Sequence, residues 1–94
     1  MSFTQEAAEE IGVKALIWLA GNDDLLPVFL GASGASAGGI REQARDPAFL
    51  ASVLDFIVMD DAWVVAFCDA SGLKYDAPMR ARACLPGGAQ VNWT

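Results

Sequence analysis

A short pattern occurs twice in this chain, at residues 23–34 (DDLLPVFLGASG) and at residues 60–72 (DDAWVVAFCDASG). Each copy begins with an aspartate pair, continues through apolar residues and ends at Ser-Gly. Each copy also precedes a short segment that carries arginine, at residues 40–44 and 79–83. The offset between the copies is 37 residues at the aspartates, 38 at the Ser-Gly pairs and 39 at the arginine segments. The pattern predicts two similar helical units, that is, an internal pseudo-repeat.

Helix start and stop signals recur along the chain, and no segment shows the period-two alternation of a half-buried strand. Ser, Thr, Asn or Asp stands at each predicted start, and glycine follows several predicted ends. The signals predict an all-α fold class, in a compact orthogonal bundle of five or six helices. The predicted helices cover residues 5–20, 23–34, a short segment that ends at 45, 47–59, 61–70 and 77–84. Pro27 lies a few residues inside the second of these helices, where it either removes one backbone hydrogen bond or marks the true first turn.

Two of the predicted helices are apolar around most of their circumference. Asp46-Pro47 opens one of them, and its wide apolar arc predicts a central position in the fold. The other follows Asp60 and has almost no polar side chain over residues 63–68, so we expect it to be deeply buried or to lie at an interface. In the first helix, the predicted core stripe is Ala8, Ile11, Ala15, Trp18 and Leu19.

Apolar residues make up 54% of the chain and charged residues only 19%. A domain of 94 residues has too little interior to hide all of that apolar surface. We therefore expect an exposed apolar patch that serves a protein partner or self-association, for example as a homodimer. Residues 1–88 are predicted to form one helical domain, and residues 89–94 a loose C-terminal tail.

The net charge is −6, from six Lys and Arg residues against twelve Asp and Glu residues. This charge repels phosphate backbones and anionic membranes, so we expect neither nucleic acid nor a membrane as a partner. The first residues are acidic where a secretory signal is basic, and the longest uncharged stretch contains proline and four glycines. The sequence indicates a bacterial-type cytoplasmic protein.

The chain offers few groups for catalysis or metal binding. It has no histidine and two cysteines, Cys68 and Cys84, which fit neither a zinc site nor a secreted disulfide framework. The aspartate pairs stand where helices begin, and helix capping explains them without a metal. Cys68 occupies a core position of the repeat, whereas Cys84 follows two arginines that favour a thiolate. We assign no catalytic, cofactor-binding or metal-binding residue and expect no cofactor. Because the chain has no histidine to act as a base, enzyme activity is disfavoured, but it stays open.

Two groups of residues are candidates for binding. Val13 and Ile17 lie at helical spacing on the same side of the first helix as two glutamates, and apolar residues on a charged face predict a partner surface. Its candidate members are Val13, Ile17, Trp63 and Trp93; the alternative is that the tail or a neighbouring helix covers the first two. The second group is a basic face that could bind nucleic acid or an acidic partner. The alternative is that its arginines are simply solvated and compensate helix dipoles. Its candidate members are Arg41, Arg45, Arg80 and Arg82.

Several segments together resemble a family of short bacterial all-helical proteins catalogued as a domain of unknown function, family 3572. The resemblance covers about residues 7–88. It rests on residues 15–30 (ALIWLAGNDDLLPVFL), 46–50 (DPAFL), 54–56 (LDF), 60–67 (DDAWVVAF), 71–73 (SGL) and 85–87 (LPG). Ala35 departs from it, because a bulky apolar residue is expected after Gly34, as Leu73 follows Gly72. The resemblance implies a helical fold and no particular activity.

These observations favour a non-catalytic protein–protein interaction module. One alternative is an enzyme or small-ligand binder that uses an aspartate or Cys84 in a pocket between helices. A second alternative is weak nucleic-acid binding through the basic face, although no basic recognition helix is present.

Overall fold

The computed structural model describes residues 4–34, 36 and 38–85, and within them it contains six helices and no strand. This confirms the predicted all-α bundle of five or six helices. The radius of gyration is 12.2 Å, close to the value of about 12 Å expected for a compact chain of this length. The predicted tail at 89–94 lies outside the described residues, and the single domain over 1–88 stays a prediction. The helices are α1 (Gln5–Ala20), α2 (Leu26–Ser33), α3 (Ile40–Gln43), α4 (Pro47–Val58), α5 (Asp61–Ser71) and α6 (Ala77–Ala83).

Side-chain caps fix the starts of α1, α4 and α5. Thr4 Oγ1 accepts a hydrogen bond from the Ala7 backbone N–H at 3.0 Å. The Asp46 carboxylate accepts one from the Ala48 N–H at 3.0 Å, and Asp60 accepts the equivalent bond at 2.8 Å. Each contact satisfies an N–H group that the helix itself leaves without a partner, which is worth about 1 kcal/mol. The predicted starts of these three helices are confirmed.

The second helix begins at the later of the two starts that the sequence leaves open. Asn22 Oδ1 accepts hydrogen bonds from the backbone N–H groups of Asp24 and Leu25, both at 3.0 Å, and so stabilises a turn. α2 begins at Leu26, with Pro27 in its first turn, where a missing N–H group costs nothing. The prediction that Pro27 marks the first turn is confirmed. The alternative start at residue 23 is wrong, because the Asn22 side chain closes the turn before the helix instead of capping it.

α1 and α4 form the centre of the fold, and α6 packs against both. The two helices lie close together at Gly12, where an added Cβ atom would lie 2.9 Å from the Cβ atom of Leu50. The lack of a side chain at Gly12 therefore lets the two helices approach each other. Val53, Leu54 and Ile57 of α4 are completely buried, which confirms its predicted central position.

The inner side of α1 contains most of its predicted core stripe. Ala8, Ile11, Ala15 and Leu19 are buried as expected, and Gly12 and Leu16 are buried as well. Trp18 lies at the margin of the core, where it is partly covered and its ring tilts against Phe67 at a centroid distance of 5.9 Å.

Aromatic rings attach α2 and α5 to α4. Phe29 of α2 is buried, and its ring lies edge-on to the rings of Phe49 and Phe56, with centroid distances of 5.8 and 5.4 Å. Phe56 in turn stacks on Trp63 of α5 at 4.8 Å. Such pairs contribute about 0.5–1.5 kcal/mol beyond their burial. A continuous row of rings therefore runs from α2 across α4 to α5.

α5 covers the core with one side only. Phe67 and Cys68 are its buried residues, whereas Ala66 is exposed and Val65 is 40% exposed. The expectation that α5 is deeply buried is wrong, because Phe67 and Cys68 are its only buried residues among the eleven of the helix. The alternative, that α5 lies at an interface, stays a prediction.

The two copies of the sequence pattern end in the same way. Gly34 and Gly72 adopt left-handed conformations, with φ of 76° and 69°, after α2 and α5 respectively. Each glycine N–H donates to the carbonyl oxygen four residues earlier, on Leu30 and on Cys68. This αL cap strongly favours glycine. The starts of α2 and α5 differ, so the repetition of a whole helical unit stays a prediction.

We expect Gly12→Ala to lower the free energy of unfolding by about 1 kcal/mol or more. Alanine normally adds up to about 1 kcal/mol to a helix relative to glycine, but forcing α1 and α4 apart costs about 1–3 kcal/mol. Chemical denaturation followed by circular dichroism measures the difference.

Gly31→Ala is the matched control, because Gly31 lies in α2 with no atom within 4 Å of an added Cβ. It should raise the free energy of unfolding by about 0.5 kcal/mol. Equal effects of the two substitutions would contradict the close approach at Gly12.

Candidate functional site

One row of exposed residues follows the side of α1 that faces away from the core. Spacings of four and three residues alternate along it, as they do along one stripe of a helix. Ile17 is 68% exposed and Val13 36% exposed, which confirms that the two apolar residues lie at the surface. We call this row the α1 stripe; its members are Glu6, Glu10, Val13, Ile17 and Ala20.

An apolar groove of about 420 Å³ runs beside the second half of the α1 stripe. Its walls are the C-terminal half of α1, the start of α2, and α3 with the residue after it. Ile40 and Leu26 pack against the core and present the rest of their surfaces to the groove. We call it the α1 groove; it is lined by Val13, Leu16, Ile17, Ala20, Leu26, Ile40, Arg41 and Ala44.

The α1 groove and the N-terminal half of the α1 stripe differ in charge. Arg41 is the charged member of the groove lining. On the far side of Val13, a shallower depression is lined by Glu6, Glu9, Glu10 and Lys14. The α1 stripe thus begins at a mostly acidic surface and continues beside an apolar groove that carries one cation.

The structure brings together only part of the predicted partner surface. Val13 and Ile17 share the α1 groove, but Trp63 does not line it and instead stacks on Phe56 at the edge of the core. Trp93 lies outside the described residues. The role of these four residues in binding stays a prediction.

The four arginines of the predicted basic face lie on two elements. Arg41 belongs to α3 and Arg45 is exposed in the turn that follows. On α6, Arg82 forms an ion pair with Asp55 of α4, and Arg80 lies 3.6 Å from the Asp76 carboxylate. Two of the four positive charges are thus next to carboxylates, which lowers the local potential available to an anionic ligand.

The two cysteines have different surroundings. Cys68 is completely buried, and its thiol donates a hydrogen bond to the Lys74 carbonyl oxygen at 3.3 Å. Burial raises the pKa of the Cys68 thiol, and the negative charges of Asp69 and Asp76 raise it further. The neutral thiol is favoured, so Cys68 is an inert core residue. Cys84 is partly buried at the end of α6.

A second apolar depression of about 330 Å³ lies between α5 and α6. Tyr75 stands at its edge, and its hydroxyl donates a hydrogen bond to Asp69 at 2.8 Å. This hydrogen bond raises the pKa of the Tyr75 hydroxyl, and the charge of Asp69 adds to the rise. The depression is lined by Val58, Asp61, Val64, Val65, Tyr75 and Met79.

Neither the α1 groove nor the depression between α5 and α6 contains a recognisable arrangement of catalytic side chains. Among the described residues, no group of three or more Cys, Asp or Glu side chains is placed to hold a metal ion. The two groups with a shifted pKa, Cys68 and Tyr75, do not line the α1 groove. The lining of the α1 groove is apolar apart from Arg41.

Sequence reasoning missed the groove's outer wall. The period of α1 identified Val13 and Ile17, but nothing in residues 26–44 indicates that Leu26, Ile40 and Arg41 face them. The composition of residues 31–39, which are all Gly, Ala or Ser, signals only that this segment has no large side chain.

Comparisons with known proteins give one match. A family model described as a protein of unknown function (DUF3572) matches residues 5–88. No curated protein matches the chain, and no solved structure matches it. In the part of the chain that the structure describes, no helix is long and apolar enough to cross a membrane.

We expect Tyr75 to titrate above the ordinary tyrosine pKa of about 10, because the hydrogen bond to Asp69 requires the protonated hydroxyl. Tyr75 is the single tyrosine of the chain, so the ultraviolet absorbance of tyrosinate reports it alone. The folded-state pKa lies above the unfolded one. The interaction therefore stabilises the fold below about pH 10 and is lost as the pH rises through the folded-state pKa.

Asp69→Ala should return the pKa of Tyr75 to its ordinary range. Asp61→Ala is the control, because Asp61 lines the same depression without bonding the hydroxyl. An ordinary tyrosine pKa in the wild-type chain would rule out the Asp69 hydrogen bond in solution.

Proposed function

The chain belongs to the DUF3572 family of proteins of unknown function, and we propose that it is a non-catalytic protein-interaction module that acts in the cytoplasm. The α1 groove is its docking surface. The observation that carries the proposal is Ile17, which leaves 68% of its surface exposed at the edge of an apolar groove. An isolated exposed residue would need no explanation, but here the apolar surface is continuous.

Burial supplies the driving force for docking. Covering an isoleucine or valine side chain contributes about 1.5–3 kcal/mol, and Ile17 and Val13 are adjacent on the α1 stripe. Helices α1, α2 and α3 form the groove walls in the isolated chain, so little ordering is needed on binding. A helix-in-groove contact of this kind typically uses apolar anchors spaced by three and four residues.

The charges define the chemistry of the partner. We infer an amphipathic helix whose apolar anchors enter the groove between Val13 and Ile40. A basic residue on that helix would complement Glu10, and an acidic residue would complement Arg41.

We expect Ile17→Glu to weaken binding of the partner at least about tenfold, because it removes an anchor and places a carboxylate against apolar surface. Val28→Glu is the matched control: Val28 is 52% exposed on α2 but does not line the groove. Both positions are exposed, so both variants should keep the wild-type helical content and melting curve.

The experiment has two steps. A tagged chain captures proteins from its native cytoplasm, and each captured protein is then purified and titrated by calorimetry against the wild type and both variants. Loss of affinity in Ile17→Glu alone supports the proposal, and equal affinities in all three rule it out. Stabilisation of the wild type by a small molecule, abolished by Ile17→Glu, would favour the ligand-binding alternative instead.

A further inference from the structure

We propose that the apolar depression between α5 and α6 binds a small organic cation, namely an amine whose ammonium group is attached to an apolar body. The site is separate from the α1 groove, because none of the described residues lines both. The proposal rests on two groups that line the same depression, the carboxylate of Asp61 and the ring of Tyr75.

The depression has the size and composition of a site for a small molecule. Its volume of about 330 Å³ lies near the lower limit for ligand pockets. Val58, Val64 and Val65 supply apolar surface, and Met79 adds a flexible thioether that adapts its shape to a neighbour. Val65 is 40% exposed and Met79 is 62% exposed, so a ligand can reach this apolar surface.

Asp61 supplies a negative charge that no described neighbour neutralises. It is the charged member of the lining, and it forms no hydrogen bond or ion pair with the residues that the structure describes. Asp60 already caps α5 through the Ala62 N–H, so the helix start does not require the Asp61 carboxylate as a cap. The dipole of α5 favours a negative charge here but leaves the carboxylate oxygens open to a donor from a ligand. An ammonium group beside Asp61 would form a charge-assisted hydrogen bond.

Tyr75 supplies an aromatic ring whose orientation is fixed. Its hydroxyl donates a hydrogen bond to Asp69 at 2.8 Å, so the ring is the part of Tyr75 that is available to a ligand. A hydroxyl that donates to a carboxylate polarises its ring, and an electron-rich ring face attracts cations. The ring of Tyr75 and the carboxylate of Asp61 therefore favour the same ligand charge.

These groups discriminate among small molecules. An anion would be repelled by Asp61 and by Asp69 at the edge of the depression, and a neutral molecule would gain nothing from either charge. Lys74 precedes Tyr75 in the chain but does not line the depression. An inorganic cation would leave the valines unused, and no described group of three carboxylates or cysteines is placed to hold one. An amine with an apolar body uses the whole lining.

Hexylamine is the probe, because it is protonated at pH 7 as a lysine amine is, and hexan-1-ol and hexanoate are its neutral and anionic counterparts. Tyr75 is the single tyrosine of the chain, so ring-labelled tyrosine gives one NMR signal. We expect hexylamine at millimolar concentrations to shift this signal to saturation. Its dissociation constant should be at least about fivefold below that of hexan-1-ol, and hexanoate should not bind.

Two substitutions test the assigned groups in the full chain. Asp61→Asn should raise the dissociation constant of hexylamine at least about fivefold and remove its advantage over hexan-1-ol. Asp23→Asn is the matched control, because Asp23 is exposed, changes the net charge equally and does not line the depression. Tyr75→Leu should weaken binding by a similar factor, followed through the methyl signal of Met79. Melting curves check that each variant folds.

Four results would overturn the site. They are the absence of a saturable shift, equal affinities for amine and alcohol, equal effects of Asp61→Asn and Asp23→Asn, and tighter binding of Nα-acetyl-lysine methylamide than of hexylamine. The last result would assign the depression to a lysine side chain of another protein instead of a free amine. Ile17→Glu should leave the affinity for hexylamine unchanged, so failure of this site and failure of the α1 groove are distinguishable.

Discussion

The rest of the structure depends on the close approach of α1 and α4 at Gly12. With no side chain at this position, the backbone of α1 comes against the root of the Leu50 side chain. α6 then packs against both helices, and α5 contacts both from another direction. The inner side of α1 is thereby covered by other helices. Whatever lies on its outer side, Val13 and Ile17 included, is left for solvent or for a partner.

The α1 groove lies beside two short helices. α2 has eight residues and α3 is a single turn. Residues 31–39, from the end of α2 to the start of α3, contain only Gly, Ala and Ser. The large apolar side chains that this part of the chain contributes to the groove are therefore Leu26, at the start of α2, and Ile40, at the start of α3.

Features set by local chemistry were predictable from the sequence. The caps at Thr4, Asp46 and Asp60 and the glycine that ends α5 depend only on neighbouring residues. The burial of α5 was not predictable, because the apolar sequence of a helix does not show how many of its sides contact other helices. For the same reason, only one wall of the groove was predictable. The helical period of α1 identifies Val13 and Ile17, whereas Ile40 and Arg41 join them in the groove only through tertiary packing.

The contact between α1 and α6 has a consequence for how the chain folds during synthesis. The first helix is made long before the last, yet each covers apolar surface of the other. Until α6 has been synthesised, α1 has only part of its final cover, and Ala81 and Leu85 are not yet available to fill the core. Contacts so distant in sequence close last and slow the final step. The complete core therefore forms only after α6 and Leu85 have left the ribosome, and a chain terminated before α6 would expose the surfaces that promote aggregation.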